Sequence, residues 1–248
     1  MTQYIILFNL LFTVLFVSFG QASPQTVTFK STDGLTVTAD LYMIADREAP
    51  FIILFHQAGY SRGEYREIAP KLNALGFNCM AVDQRSGGEV NGIVNETHKR
   101  AEEAGMKTKY ADAFPDLEAA LSYVKVNFKP KNLIIWGSSY SSALVFVLAA
   151  KYPDDVDGIL SFSPGNYFKM DGKTIADYAG EVTCPVFITS AKSERESWQS
   201  IFDSLKSTDK NRFLPEEKGY HGSKALWAEN KGHNEYWKAV KEFLKRWE

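Results

Sequence analysis

The feature that most constrains the fold is an alternation of short apolar runs with longer amphipathic stretches. The apolar runs are too short for helices and are bounded by turn residues, which is typical of parallel strands covered on both faces. They are residues 51–55, 78–82, 132–136, 158–162, 186–189 and 212–214. Stretches with helical periodicity lie at 65–75, 114–127, 141–151, 196–205 and 234–247. We therefore expect a mostly parallel sheet with helices on both faces and right-handed crossovers.

Two earlier segments complete the predicted sheet. Residues 25–29 and 35–43 alternate apolar and polar side chains around Thr32-Asp33-Gly34, which predicts an antiparallel hairpin at a sheet edge. The total is eight strands. No repeat or Pro/Gly/Ser-rich linker divides residues 23–248, so we expect one α/β domain.

The first residues have the pattern of an export signal. Residues 4–19 are apolar except for three polar positions, and Gly20-Gln21-Ala22 has the small-residue spacing of a signal-peptidase site. We predict a signal peptide over residues 1–22 and a periplasmic or secreted mature protein. An uncleaved anchor is the alternative, although the apolar run falls short of the ~20 residues of a spanning helix.

Composition excludes several classes of protein. The chain has 248 residues, 45% hydrophobic and 23% charged, and a formal net charge of -2, which is far from the basic balance of a nucleic-acid-binding protein. Its two cysteines, Cys79 and Cys184, adjoin strand-like runs and are expected to be buried as free thiols. Neither has a Cys or His neighbour at metal-ligand spacing.

One segment departs from the alternation. Residues 86–112 are polar and highly charged, and they follow the strand predicted at 78–82. We interpret this segment, called the excursion below, as a partly helical path over the upper edge of the sheet. It is a candidate lid, and a solvated loop without a role in substrate choice is the alternative.

The run Gly137-Ser138-Ser139-Tyr140-Ser141 connects a predicted strand directly to a predicted helix, which is the context of a nucleophile elbow. The positions two before and two after the apex approach each other closely, so both must be small. With Ser139 at the apex these are Gly137 and Ser141, whereas Ser138 would place Trp136 there. The pattern is G-x-S-x-S where G-x-S-x-G is usual. Ser139 is the predicted nucleophile.

Two backbone N–H groups are candidate oxyanion donors. The Tyr140 N–H begins the helix after the elbow, where the helix dipole favours negative charge. The loop His56-Gln57-Ala58-Gly59 follows the third strand and is expected to face the elbow. We predict the Ala58 N–H as second donor, with Gln57, by backbone or side chain, as the alternative. His56 is expected to order this loop through hydrogen bonds.

A serine nucleophile needs a neutral imidazole and an anion that orients it. In folds with this elbow the chain order is Ser, acid, His. Glu194 follows the seventh predicted strand and is the predicted acid, with Glu196 as the alternative. His221, flanked by Gly219 and Gly222, is the predicted base, and it is favoured over His233, which immediately precedes the last helix.

These segments, with Asp83-Gln84-Arg85 and Ser161-Phe162-Ser163-Pro164, resemble the α/β-hydrolase superfamily, particularly its dienelactone hydrolase-like members, from about Thr26 to the C-terminus. The resemblance implies a serine-dependent ester hydrolase with a triad of Ser139, Glu194 and His221. Dienelactone hydrolases proper use a cysteine and an aspartate, so lactone specificity is not carried over.

We therefore expect hydrolysis of a small-molecule carboxylic ester through an acyl-serine at Ser139, without a metal or cofactor. Peptidase or acyltransferase chemistry on the same residues is a variant. A catalytically silent binding protein of the same fold is the alternative from another class. Substrate identity and oligomeric state do not follow from the sequence.

Overall fold

The computed structural model describes residues 24–248, so the predicted signal peptide lies outside the described residues. The strands are β1 Gln25–Lys30, β2 Thr36–Tyr42, β3 Phe51–Phe55, β4 Asn78–Val82, β5 Glu89–Val90, β6 Ile93–Val94, β7 Leu133–Ser138, β8 Gly158–Phe162, β9 Val186–Thr189 and β10 Lys210–Phe213. The α-helices are α1 Ile68–Asn73, α2 Glu96–Glu103, α3 Phe114–Asn127, α4 Tyr140–Lys151, α5 Ile175–Ala179, α6 Arg195–Ser204 and α7 His233–Leu244.

The main sheet has eight strands in the order β1-β2-β4-β3-β7-β8-β9-β10. The pairs from β4 to β10 are parallel, and β2 pairs antiparallel with both β1 and β4. The predicted edge hairpin and mostly parallel sheet are thus confirmed. The parallel strands β3, β4, β7, β8 and β9 are fully buried, which explains their continuous apolar runs.

Two hydrophobic clusters cover the faces of the sheet. One contains buried residues of α3, α4, α5 and α6, and the other contains those of α1 and α7. This three-layer arrangement brings the carboxyl ends of the parallel strands to one edge, where ligand sites of such sheets lie. Among the described residues, no helix is long and apolar enough to cross a membrane.

The excursion folds against this frame. It contains the short β5–β6 ribbon and α2, and Asn95 caps α2 by accepting a hydrogen bond from the His98 N–H. Thr97 and Arg100 of α2 contact β2: the Thr38 N–H donates to Thr97 Oγ1 at 2.9 Å, and Arg100 donates to Thr38 Oγ1 at 2.8 Å. The expectation of partial helicity is confirmed. A role as a lid stays a prediction.

Both cysteines are free thiols, as expected. Cys79 is fully buried in β4, and burial raises the pKa of its thiol well above the usual range. Cys184 is half-buried, and burial raises the pKa of its thiol to about 12. Both thiols are therefore protonated and poorly nucleophilic at neutral pH.

Candidate active site

Ser139 lies at the apex of a strained turn between β7 and α4. Its φ of 56° and ψ of -119° are outside the regions that non-glycine residues favour. Such strain costs on the order of 1–3 kcal/mol and persists only where the surroundings enforce it. A Cβ added to Gly137 would lie 2.4 Å from the Ser141 carbonyl oxygen, so the turn requires glycine there. This is the geometry of a nucleophile elbow.

The second small position of the elbow is Ser141, and its hydroxyl takes part in the structure. Ser141 Oγ accepts the Ser138 N–H at 3.0 Å. It also lies within hydrogen-bond distance of three carbonyl oxygens, those of Phe55 at 2.7 Å, His56 at 2.8 Å and Ser138 at 2.9 Å. The departure from a second glycine therefore ties the elbow to the end of β3.

A chain of short contacts joins Ser139 to His221 and Glu194. The distance from Ser139 Oγ to His221 Nε2 is 2.8 Å, and that from His221 Nδ1 to Glu194 Oε1 is 2.6 Å. With its proton on Nδ1, neutral His221 donates to Glu194 and leaves Nε2 free to accept the serine proton. The structure thus brings together three residues from the ends of β7, β9 and β10.

Glu194 is held as an anion. Its second oxygen accepts hydrogen bonds from the Ser163 hydroxyl at 2.6 Å and the Ala191 N–H at 3.2 Å. Burial alone would raise the pKa of Glu194, but hydrogen bonds from His221 and Ser163 outweigh it and the pKa lies below its usual value. An ionised Glu194 suits the task of stabilising an imidazolium.

The alternatives to these residues lie elsewhere. Glu196 is exposed in the first turn of α6, where acidic residues are common. His233 is the first residue of α7, and its backbone N–H donates to the Asn230 carbonyl oxygen. His221 is therefore the imidazole that contacts Ser139, and Glu194 is the carboxylate that contacts His221.

The oxyanion candidates differ in availability. The Tyr140 N–H starts α4, and neither it nor the Ala58 N–H has an acceptor within residues 24–248. The Gln57 N–H, in contrast, donates to Glu64 Oε2 at 2.8 Å. The backbone N–H of Gln57 is thus engaged, and the backbone donors that stay free are those of Ala58 and Tyr140. A donor role for the Gln57 side chain stays the alternative.

His56 orders the loop after β3, as expected. It is fully buried, and its Nε2 accepts the Gln84 N–H at 3.0 Å and lies 3.0 Å from the amide nitrogen of Asn95. Nδ1 then carries the proton and donates to the Gln57 carbonyl oxygen at 2.8 Å. Burial lowers the pKa of His56 to about 4, so the ring is neutral at pH 7. Its role is structural.

Aromatic side chains surround the elbow. Tyr110, at the end of the excursion, stacks on Tyr140 with 4.9 Å between ring centroids and meets Phe168 edge-on at 6.4 Å. The Tyr167 hydroxyl donates to the Ser163 carbonyl oxygen at 2.7 Å. Burial raises the pKa of Tyr167 to about 12, an effect that a hydrogen bond with the Ser139 side chain opposes, so the phenol stays protonated beside Ser139.

Two residues of the site were given no role of their own by the sequence, although Ser163 lies in one of the segments that resemble the family. Ser163 follows β8 with a φ of 59°, and its hydroxyl accepts the Gly222 N–H at 2.8 Å while donating to Glu194. Glu64 lies buried under the elbow and contacts it through Ser138. Their partners are 31 to 74 residues away in sequence, a separation that no local pattern reports.

No group of three or more metal-ligating side chains occurs in the part of the chain that the structure describes. The site is made of an imidazole, a carboxylate, hydroxyls and backbone N–H groups. These are the elements of general acid–base and nucleophilic catalysis.

Comparison with known proteins relates this geometry to a family. A family model described as serine aminopeptidase, S33, matches residues 47–212. This match runs from before β3 into β10 and includes Ser139 and Glu194, while His221 follows it. No curated protein sequence matches the chain.

Solved structures share the fold at low sequence identity. The esterase Pf2001 of Pyrococcus furiosus is 19% identical, with a TM-score of 0.68 over 90% of this chain and 92% of that one. A dienelactone hydrolase from Anabaena variabilis is 14% identical, with a TM-score of 0.70 over 91% and 99%. Est1E from Butyrivibrio proteoclasticus, solved with ferulic acid bound, is 17% identical, with a TM-score of 0.68 over 89% and 98%.

Proposed function

Because the chain belongs to the serine aminopeptidase S33 family of the α/β-hydrolase superfamily, we propose that it is a serine hydrolase of carboxylic esters. The family and fold are those of hydrolases, including esterases. The observation that carries the finer proposal is the continuous chain of contacts from Ser139 Oγ through His221 to Glu194, at 2.8 and 2.6 Å.

In the first half of the reaction, Ser139 Oγ attacks the ester carbonyl carbon while His221 Nε2 takes the hydroxyl proton. Glu194 stabilises the resulting imidazolium through Nδ1–H. The Tyr140 and Ala58 N–H groups hold the negative oxygen of the tetrahedral intermediate. The C–O bond to the alcohol then breaks, and His221 passes its proton to the leaving oxygen, which leaves an acyl-serine.

In the second half, water replaces the alcohol. His221 removes a proton from water as its oxygen attacks the acyl carbon, and the same proton returns to Ser139 Oγ as the acid leaves. The net reaction consumes one water and releases one alcohol and one acid. It requires only groups that the described residues provide.

The test is labelling by a fluorophosphonate together with hydrolysis of p-nitrophenyl esters of rising chain length. We expect labelling at Ser139, ester turnover, and loss of both in Ser139→Ala. Labelling that persists in Ser139→Ala would contradict the assignment of the nucleophile. Absence of labelling and of turnover in the wild-type protein would favour the catalytically silent binding protein.

Peptidase activity is a second candidate, because the matching family is described as a serine aminopeptidase. The same residues would cleave an amide if His221 protonated a leaving amine. Aminoacyl p-nitroanilides and p-nitrophenyl esters with a matched acyl group separate the two. The esterase proposal predicts turnover of the p-nitrophenyl esters without measurable turnover of the p-nitroanilides. Turnover of the anilides at a rate comparable with that of the matched esters would overturn it in favour of a peptidase, because p-nitrophenyl esters are reactive enough for either enzyme to cleave.

We also propose that the mature protein is exported after cleavage behind Ala22, as the leader pattern predicts. Support comes from the sequence of residues 1–22 alone. N-terminal sequencing of the exported protein should give Ser23 as the first residue. A retained Met1 would favour the uncleaved anchor.

A further inference from the structure

A fully buried carboxyl group lies directly beneath the candidate active site. Glu64 belongs to a short 3-10 turn, Arg62–Tyr65, that follows the loop containing Ala58. Its side chain has no exposure to solvent. Carboxylates are almost never buried without a partner, so the contacts of this one require an explanation.

Each oxygen of Glu64 contacts a different part of the site. Oε2 accepts the Gln57 N–H at 2.8 Å, in the loop that holds the candidate oxyanion donor Ala58. Oε1 accepts the hydroxyl of Ser138, the residue before the nucleophile, at 2.7 Å. Ser138 Oγ in turn accepts the Ser223 N–H at 2.8 Å, two residues after His221.

The backbone of Glu64 is held as well. The indole N–H of Trp227 donates to the Glu64 carbonyl oxygen at 2.9 Å. Trp227 follows the same loop that contains His221. The 3-10 turn is therefore fixed to the base-bearing loop through main chain and side chain.

The junction around these contacts leaves no spare room. Gly222 has a φ of 71°, and a Cβ added there would lie 2.6 Å from Ser138 Oγ and 2.8 Å from Gln57 Oε1. A shift of any of the three loops by a few tenths of an ångström would thus disturb the other two. Close packing of this kind transmits displacement.

We propose that Glu64 is a positioning residue of the hydrolytic site, whose two carboxyl oxygens hold the oxyanion loop, the nucleophile elbow and the base-bearing loop in register. This inference rests on the proposed function, since register matters to a reaction at Ser139. Glu64 does not touch the reacting atoms. It acts through Gln57 and Ser138, and the misplacement of a catalytic group by about 1 Å costs on the order of 100-fold in rate.

The pKa of Glu64 lies near neutral pH, so its carboxyl group is partly ionised there. Burial raises its pKa to about 7, although hydrogen bonds from Gln57 and Ser138 lower it. A protonated Glu64 can still accept the Gln57 N–H at one oxygen and donate to Ser138 Oγ from the other. The side chain at position 64 therefore needs a hydrogen-bond acceptor facing the Gln57 N–H. The atom facing Ser138 Oγ can either accept or donate a hydrogen bond.

This reasoning separates two substitutions of similar size. Glu64→Gln keeps an acceptor for Gln57 and a donor for Ser138 Oγ. Glu64→Met fills the same space without either contact. We expect Glu64→Met to fold and to lose on the order of 100-fold in kcat and in the rate of fluorophosphonate labelling, with KM changed by less than about threefold. Glu64→Gln should recover activity to within about fivefold of wild type.

Hydrogen–deuterium exchange provides a readout that does not depend on chemistry. In Glu64→Met, exchange should accelerate in residues 56–61 and 219–226 and remain unchanged in β8 and β9. If Glu64→Met fails to fold, Ser138→Ala tests the same contact and should lose about 10-fold in kcat with local acceleration at 219–226.

These experiments distinguish failure of the Glu64 proposal from failure of the proposed esterase function. If the wild-type protein is neither labelled nor able to hydrolyse esters, the esterase proposal is wrong. The hydrogen–deuterium exchange experiment then tests by itself whether Glu64 holds the three loops in place. Wild-type protein that labels, beside a folded Glu64→Met variant with the same labelling rate and the same exchange, overturns the positioning role. Equal losses in Glu64→Gln and Glu64→Met would also overturn it, because the hydrogen-bond pattern would then be irrelevant.

Discussion

The Ser163 hydroxyl donates a 2.6 Å hydrogen bond to the oxygen of Glu194 that His221 leaves free. The same hydroxyl accepts the Gly222 N–H at 2.8 Å. One side chain at the end of β8 therefore contacts both the Glu194 carboxylate that follows β9 and the backbone beside His221. Outer contacts of this kind fix the orientation of the groups that do the chemistry.

Replacing Ser163 should lower turnover without weakening substrate binding. We expect Ser163→Ala to reduce kcat on the order of 10-fold at nearly constant KM, because Glu194 loses its orientation and the Gly222 N–H loses its acceptor. Ser163→Gly is the matched variant. It should lose the same activity but be more stable than Ser163→Ala by about 1 kcal/mol, because glycine tolerates the positive φ. If both variants keep the wild-type kcat, Ser163 does not orient Glu194 for the reaction.

The acid can be tested with its neighbour as control. Glu194→Gln removes the charge that stabilises the His221 imidazolium and should lower kcat on the order of 10³-fold or more. Glu196→Gln, exposed in the next helix turn, should change kcat by less than about twofold. Steady-state kinetics on one p-nitrophenyl ester measure both. A larger loss in the Glu196 variant would reverse the assignment.

The hydroxyl of Ser141 should contribute to stability. Ser141→Gly restores the usual second glycine of the elbow but leaves the Ser138 N–H and the Phe55 carbonyl oxygen without this partner. We expect a loss of about 1–3 kcal/mol in the free energy of unfolding, measured by urea denaturation, and a similar loss in Ser141→Ala. Ser197→Ala, on the exposed side of α6, is the control. Unchanged stability in the glycine variant would show that the hydroxyl is dispensable.

His56 should make stability fall in acid. Because burial lowers its pKa to about 4 from the ordinary value of 6.5, the unfolded chain binds this proton first as the pH falls. The free energy of unfolding therefore decreases from about pH 6.5 towards pH 4, by about 2 to 3 kcal/mol from this residue. His56→Gln cannot titrate and should show a correspondingly weaker dependence between pH 7.5 and 4.5, although it is less stable at pH 7.5. Parallel curves for the two proteins would contradict the prediction.

Tyr110 provides a test of the excursion as a lid. If the excursion contacts bound ester, Tyr110→Ala should lower kcat/KM for long acyl chains by about 10-fold relative to acetate, and leave labelling by a small fluorophosphonate unchanged. Val126→Ala, which removes an exposed apolar side chain of α3, is the control. An equal change across the ester panel would favour the solvated-loop interpretation.

The sequence predicted strand boundaries best where both faces of a strand are buried. β3, β4, β8 and β9 begin and end where the apolar runs do, because strands covered on both faces tolerate few polar residues. The predicted strand boundaries were less accurate at the edge of the sheet. β10 covers Lys210–Phe213 and not 212–214, since its outer face is open to solvent and its residues are largely polar. The five-residue helix α5 was missed because it is too short to show a period.

Within the site, residues with a local signature were easier to find than those without one. Ser139 was predicted from the small residues that its turn requires, and Glu194 and His221 from chain order. The structure brings these three together, while their catalytic roles stay proposals. Ser163 was quoted only as part of a segment that resembles the family, and Glu64 was not singled out, because the contacts of both residues are to partners in other loops. A buried glutamate in the run Arg62-Gly63-Glu64-Tyr65 looks like any surface residue in the sequence.

The elbow region contains four serines, and their hydroxyls have different hydrogen-bond partners. Ser138 bonds to Glu64 and the Ser223 N–H, Ser141 to carbonyl oxygens at the end of β3, and Ser142 to the Ser139 carbonyl oxygen. Only Ser139 has an imidazole as its acceptor. We therefore predict that a covalent inhibitor reacts with one of these four hydroxyls, because the acceptor that the fold gives each serine, and not the residue type, distinguishes them.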